Sequence, residues 1–454
     1  MREAATAVAR AGLPRVADAE RDYARRTPGS RARWERATRV QPNGVSGNGK
    51  YFPPHPLFIA DAKGSRVTDV DGHEYLDVLM GSGSLLLGHG HPRIVAAVSE
   101  QVARFSGTTM PHEPGLALAE RMSAKRGLAR IRFTVTGSEA TQSALRVARS
   151  ATGRTRFAKC EGGYHGSGDA FLVATHSTAM AGPDSEPAAK PDYAGLPPSV
   201  GDDVIVLPYN DVAAAERLIR RSAADLAAVI VEPVLFSSGG AVPATGEFLD
   251  TLRRETAAAG IVLIFDEVVT GYRLGPRGAE SHYGVTADLV TLGKGVAGGL
   301  PLAAFGGRAD LMDLALAGSA ESRVFQSGTY VENAVSVAAA HAVLDELAER
   351  PDALTRLDAL GERLRTGIAA ELDRAGVPGV VTGAGSMLHF HLGATSVTNR
   401  RELLRADVES SRLAQLALVA AGVLWQPLHP AALSIVHTAQ DVDNVLATMR
   451  EVLR

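Results

Sequence analysis

Between about residues 90 and 310 the chain alternates two hydrophobic patterns. Seven short runs, "IRFTV", "RFAKC", "DVIVLP", "AAVIVEPV", "IVLIFDEV", "DLVTLG" and "LAAFGG", are rich in apolar and β-branched residues. Between them lie stretches with helical spacing at 93–105, 138–151, 212–224 and 245–259. Strands that are apolar throughout have both faces covered, so this alternation predicts a mostly parallel sheet flanked by helices. Upstream, "LFIADAKGSRVTDVDGHEYLDV" alternates apolar and polar residues around the turn signals "AKG" and "VDG", as a hairpin does. Residues 1–40 read as amphipathic surface helices, and 41–56 as a turn-rich segment. An alanine-rich helical stretch covers 331–376, and strands mix with helices from about 377 on. The expected organisation is an N-terminal helical and extended segment (1–65), a large α/β domain (66–330) and a smaller α+β domain (331–454). The segment 175–201 is too long for a plain connection, and loops of that length are functional or disordered.

Composition narrows the classes of function. The chain has 454 residues, 45% of them hydrophobic and 21% charged, enough for a large core and two domains. A net charge of −3 gives no reason to expect nucleic acid or an anionic membrane as partner. No apolar run is long enough to span a bilayer, and the N-terminus lacks the apolar centre of a signal peptide. A single cysteine, Cys160, rules out an internal disulfide, and a cytoplasmic location is expected.

Parallel α/β sheets bind ligands at the carboxyl ends of their strands. After "IRFTV" come Thr136, Gly137 and Ser138 at the start of a helix, either a phosphate cradle or an ordinary cap by Ser138 with Glu139 behind it. After "RFAKC" comes "EGGYHGSG", where Tyr164, with His165 beside it, lies flat over a planar ligand or packs as a core aromatic. After "IVLIF" come Asp266 and Glu267, which point to opposite faces of a strand. A carboxylate there needs a cation, either Arg273 or a protonated pyridine nitrogen. "DLVTLG" then delivers Lys294 among glycines. Phosphate cradle, aromatic, carboxylate and amine together are the set that pyridoxal phosphate requires, with Lys294 as its Schiff-base lysine.

These motifs also carry a family resemblance. "DEVVTGYR" followed by "LGKGVAGGLPLAAFGGR", with "LGHGHP", "TGSEATQSALRVARSATGR", "EGGYHG", "VIVEPV" and "QSGTYVENAVSVAAA", resembles the class III aminotransferases of fold type I. The branch is similar to that of glutamate-1-semialdehyde aminomutase, which D-phenylglycine and β-phenylalanine aminotransferases share. The resemblance implies a large domain with a mostly parallel seven-stranded sheet between helices, plus a smaller α+β domain. It implies that Lys294 holds the cofactor and shuttles a proton, and that Asp266 pairs with the pyridine nitrogen. Tyr164 and Val268 cover the two ring faces, Gly137 and Ser138 bind the phosphate, and Glu232 is a polar group either behind the groups that touch the cofactor or on the substrate side. Thr329 reaches the neighbouring subunit's phosphate, which makes the enzyme a homodimer, and 175–201 matches a mobile lid.

Departures from the branch fall where substrate is recognised. Lys50 stands where the aminomutase uses an arginine, and Gly47 where the β-phenylalanine enzyme does. A lysine keeps the charge and loses the bidentate fork. His429 is close to the position of a glutamate that the aminomutase carries, and Ser82 replaces a bulky aromatic, enlarging the pocket. Either Ser237 or Ser238 approaches the cofactor's phenolic oxygen. The resulting expectation is a ping-pong transfer between an amino donor and a keto or aldehyde acceptor, with an intramolecular aminomutase or an epimerase as the alternatives.

Overall fold

The computed structural model describes residues 13–176, 180–315 and 324–454. The seven apolar runs become the seven strands of one sheet. Their spatial order is Arg130–Thr134, Ala303–Gly307, Leu289–Leu292, Val262–Glu267, Leu226–Val231, Arg156–Cys160 and Val204–Leu207. From Leu289–Leu292 to Val204–Leu207 every pairing is parallel. Ala303–Gly307 runs antiparallel to both of its neighbours, so the sheet is mostly but not wholly parallel. The reason is the connection: residues 293–302 form a short 3-10 turn and glycine bends, too little chain for the crossover that a parallel partner needs.

The core lies on the sheet faces. Helix Gly137–Thr152 buries Ala140, Ala144, Leu145, Val147 and Ala148 among Phe157, Val204, Ile230, Ile264 and Phe305 of the strands. Helix Gly246–Ala259 buries Phe248, Leu249 and Leu252. Helix Glu113–Arg126 is absent from the sequence expectation, yet its signals are present: His112 caps Gly115 N–H at 3.0 Å, Pro114 follows, and Gly127 closes it at φ +68°. The alanine-rich stretch is two helices, Ala334–Glu349 and Ala353–Ala375, interrupted at Pro351. The segment around 180–201 is not loose chain: Val173 bridges Pro191, and Arg401 donates to the carbonyls of Ala181 (3.0 Å) and Gly182 (2.9 Å).

The chain divides into two compact units. One is Pro92–Thr355 with Thr398–Arg401 and contains the seven-stranded sheet. The other comprises the described residues up to His91, with Arg356–Val397 and Glu402–Arg454. It carries a four-stranded sheet (Ile59–Lys63, Arg66–Asp69, Glu74–Asp77, Val423–Leu424) and a three-stranded one (Gly379–Ala384, Met387–Leu392, Ala431–Ala432). These limits differ from 66–330 and 331–454. The meander at 59–77, with Gly64 (φ +58°) and Gly72 (φ +85°) in its turns, pairs in parallel with Val423–Leu424 and so belongs to the C-terminal unit. Helix Ala334–Glu349 packs on helix Pro92–Arg104 and belongs with the large sheet. Of residues 1–40, the first twelve lie outside the described residues; helix Ala19–Arg26 is anchored by the buried Tyr23.

Asp266 and Glu267 point to opposite faces, as their adjacency requires. Glu267 takes its cation from Arg126 (Nη2–Oε1 2.6 Å), both side chains being at most 2% exposed. It also accepts from Ala279 N–H (2.7 Å) and the Thr270 hydroxyl (3.2 Å). Removing one member of such a pair strands a buried charge. The Arg126→Met protein is therefore expected to lose about 3 kcal/mol of stability, read as an earlier urea midpoint; an unchanged midpoint would show that Glu267 needs no cation.

Candidate active site

A cavity of about 300 Å³ opens at the carboxyl ends of the central strands. Its floor is the Asp266 carboxylate, ending strand Val262–Glu267 and buried to 4% exposure. One oxygen accepts from Thr291 Oγ1 (2.9 Å) and from the Val268 amide (3.1 Å). The other meets His165 Nδ1 at 2.8 Å. Burial lowers the pKa of His165 against the pull of Asp266. Among the described residues no arginine or lysine forms an ion pair with Asp266. Thr291 was not anticipated, although it follows from the fold: parallel pairing sets Asp266 opposite Thr291 across adjacent strands.

Lys294 opens the 3-10 turn after strand Leu289–Leu292 and is held at φ +46°, a conformation that a lysine adopts only under constraint from its surroundings. Its Nζ stands 5.3 Å from the Phe236 ring centroid. Burial lowers its pKa to about 8, opposed by the nearby charges of Glu232 and Asp266. Glu232 shows the converse: burial, then the Asp266 charge, raises its pKa to about 8. Its two oxygens accept from Tyr164 N–H (2.8 Å) and Phe236 N–H (3.4 Å).

The cradle lies at the start of helix Gly137–Thr152. The cap is Thr136, not Ser138: Thr136 Oγ1 accepts from Glu139 N–H at 3.3 Å, and Glu139 accepts from Thr136 N–H at 3.2 Å. This capping box leaves the Gly137 and Ser138 amides ahead of the first intrahelical bonds, at the positive end of the helix. A Cβ on Gly137 would lie 2.9 Å from both Val268 methyls, so only glycine keeps this opening. Ser138 Oγ accepts from Ser167 N–H at 3.2 Å and tightens the Tyr164–Ser167 turn against the helix.

Tyr164, His165, Val268 and Ser237 also line the cavity. Ser238 does not; it is buried, and its carbonyl accepts from Arg400. Thr329 belongs to the same unit but sits on an exposed segment. Lys50, Ser82 and His429 belong to the other unit. There, Gln426 donates to the carbonyl of Gly49 at 2.7 Å, which sets the Asn48–Lys50 turn beside the His429 loop. Ser82 is held at φ +55° in the bend at Met80–Gly83. Arg273, the alternative partner for the acids, is buried, and burial lowers its pKa to about 10.

The donor set fits pyridoxal phosphate: an anion cradle at a helix start, a buried carboxylate without a lysine or arginine partner, an amine near neutrality and an aromatic wall. No group of metal ligands exists among the described residues, nor any helix long and apolar enough to cross a membrane. Comparison with known proteins agrees. The aminotransferase class-III model matches residues 49–453. A glutamate-1-semialdehyde 2,1-aminomutase from Methanopyrus kandleri is 38% identical over 94% of this chain and 97% of its own. An omega-transaminase from Sphaerobacter thermophilus superposes with a TM-score of 0.87 at 37% identity, covering 93% and 97% of the two chains. A transaminase solved with PLP bound gives 0.84 at 32% identity, over 94% and 97%. The cofactor is pyridoxal phosphate, and the chain belongs to the class III aminotransferase family.

Proposed function

We propose that the enzyme moves an amino group between neighbouring carbons of one substrate molecule, as the name of its Methanopyrus relative describes, with Lys294 carrying the proton. The observation behind the chemistry is the placing of Lys294 and Asp266 at the ends of adjacent parallel strands, facing one cavity. Bound pyridoxal phosphate supplies a carbonyl for amines and a ring that withdraws electrons while its nitrogen stays protonated. Asp266, held in place by hydrogen bonds with Thr291, Val268 N–H and His165, is the group that holds that proton. Gly137 and Ser138 offer amides to the phosphate, and Tyr164 and Val268 confine the ring. Lys294, with a pKa near 8, exists partly as free amine at neutral pH and so can take a proton from a substrate carbon and return it to the neighbouring one. Glu232, whose pKa burial raises to about 8, lies on the same wall.

A second reading, ping-pong transfer between separate donors and acceptors, is favoured by the likeness to the omega-transaminase. It also accords with Ser82 in place of an aromatic and His429 in place of a glutamate. In either reading Lys50 and His429, on adjacent loops of their unit, are the groups we assign to substrate binding. We further assign a cytoplasmic homodimer: Phe325, Tyr330, Met110 and Leu116 are exposed apolar side chains, and the first two flank Thr329.

Two outcomes are expected. With glutamate-1-semialdehyde alone, the positional isomer forms over many turnovers with no added amine or keto acid. A keto product in stoichiometric amount, followed by arrest until an acceptor is added, would make the enzyme a ping-pong transaminase. Separately, uptake of pyridoxal phosphate by the apoprotein needs the neutral Lys294 amine. Its rate should rise about tenfold per pH unit below about pH 8 and level off above it; a break near pH 10 would mean that the amine is not buried.

A further inference from the structure

Lys159 lies on strand Arg156–Cys160, one strand removed from Val262–Glu267, and is wholly buried. Lysine in that condition needs a strong reason to be there. None of its hydrogen bonds goes to a carboxylate: Nζ donates to the carbonyls of Phe171 (3.2 Å) and Val173 (2.6 Å) and to the hydroxyl of Thr175. All three protons are used, and all three acceptors lie on one short segment. That segment holds the cofactor-facing turn. Thr175 Oγ1 lies 3.0 Å from the Gly163 carbonyl, the Ala174 carbonyl accepts from Gly162 N–H (2.8 Å), and Tyr164 and His165 follow directly. The opposite charges that bear on Lys159 are Asp192, Glu161 and Glu232, with the Cys160 thiol adjacent. Burial still lowers its pKa, to about 8.

We propose that Lys159 is a positioning residue for the cofactor site: its ammonium gathers Phe171–Thr175 under the Gly163–His165 turn and so fixes the turn that sets His165 against Asp266. Replaced by an apolar chain, Lys159 would no longer tie Phe171–Thr175 to that turn. This role rests on the assignment of Asp266 to the cofactor's ring nitrogen.

The test uses the full-length apoprotein and pyridoxal phosphate itself. Lys159→Met keeps the chain length and removes charge and donors; Thr175→Val keeps the charge and breaks the link to Gly163. Both should weaken cofactor binding by about tenfold, the size of one well-made buried hydrogen bond. Both should also shift the absorption band of bound pyridoxal phosphate, since Tyr164 and His165 follow directly on the clamped Gly163. If Lys159→Met does not fold, Thr175→Val alone decides: unchanged affinity overturns the positioning role. A folded Lys159→Met protein with unchanged affinity and an unshifted band overturns it as well. If the unsubstituted protein fails to bind pyridoxal phosphate, the cofactor assignment itself is at fault.

Discussion

The Asp266 carboxylate ends the central strand of the sheet in a place where water hardly reaches, and that placement organises the rest of the site. An anion there is tolerable only with donors around it and a positive partner in front. The donors come from three elements: Thr291 on the adjacent strand, the Val268 amide on its own chain, and His165 from the glycine-rich turn. Under the proposed function the positive partner is the cofactor's ring nitrogen. On the other face of the same strand Glu267 meets the same demand with Arg126, a permanent cation. Two neighbouring acids thus have opposite solutions, one closed within the protein and one open towards the cavity.

Lys294 and Glu232 have pKa values drawn towards each other, both to about 8, and burial is the leading cause in each. A low-dielectric cavity disfavours charge of either sign, so it weakens the ammonium and the carboxylate alike. That leaves an amine close to neutrality in the cavity that Asp266 floors. The left-handed backbone at Lys294, reached from an extended glycine and followed by Gly298 in the same region, turns the chain sharply after the strand. Such a conformation costs a non-glycine residue on the order of 1 kcal/mol, and the surrounding fold holds it in place.

The seven strands were legible because a strand covered on both faces must be apolar at every position, which few other elements are. Strand ends pointed to Lys294, Asp266, Tyr164, Gly137 and Ser138, since ligands gather at the carboxyl side of parallel sheets, and the five line one cavity. Less legible were contacts that depend on register or on hydrogen-bond choice. Thr291 reads as an ordinary strand residue until its pairing with Asp266 is known. Thr136 and Ser138 are equally good caps by type, and the capping box with Glu139 decided for Thr136. Lys159, inside an apolar run, carries no local sign that three acceptors lie twelve to sixteen residues on. Domain limits were missed because short strands far apart in sequence, such as Glu74–Asp77 and Val423–Leu424, pair in space.

The central claim is that Lys294 carries the cofactor. Borohydride reduction of the holoprotein fixes pyridoxal phosphate on whichever amine holds it, and digestion with mass spectrometry locates it. The label should fall on the peptide spanning Lys294, at one per chain. A label on Lys159, Lys50 or any other lysine, or no label at all, would contradict the account.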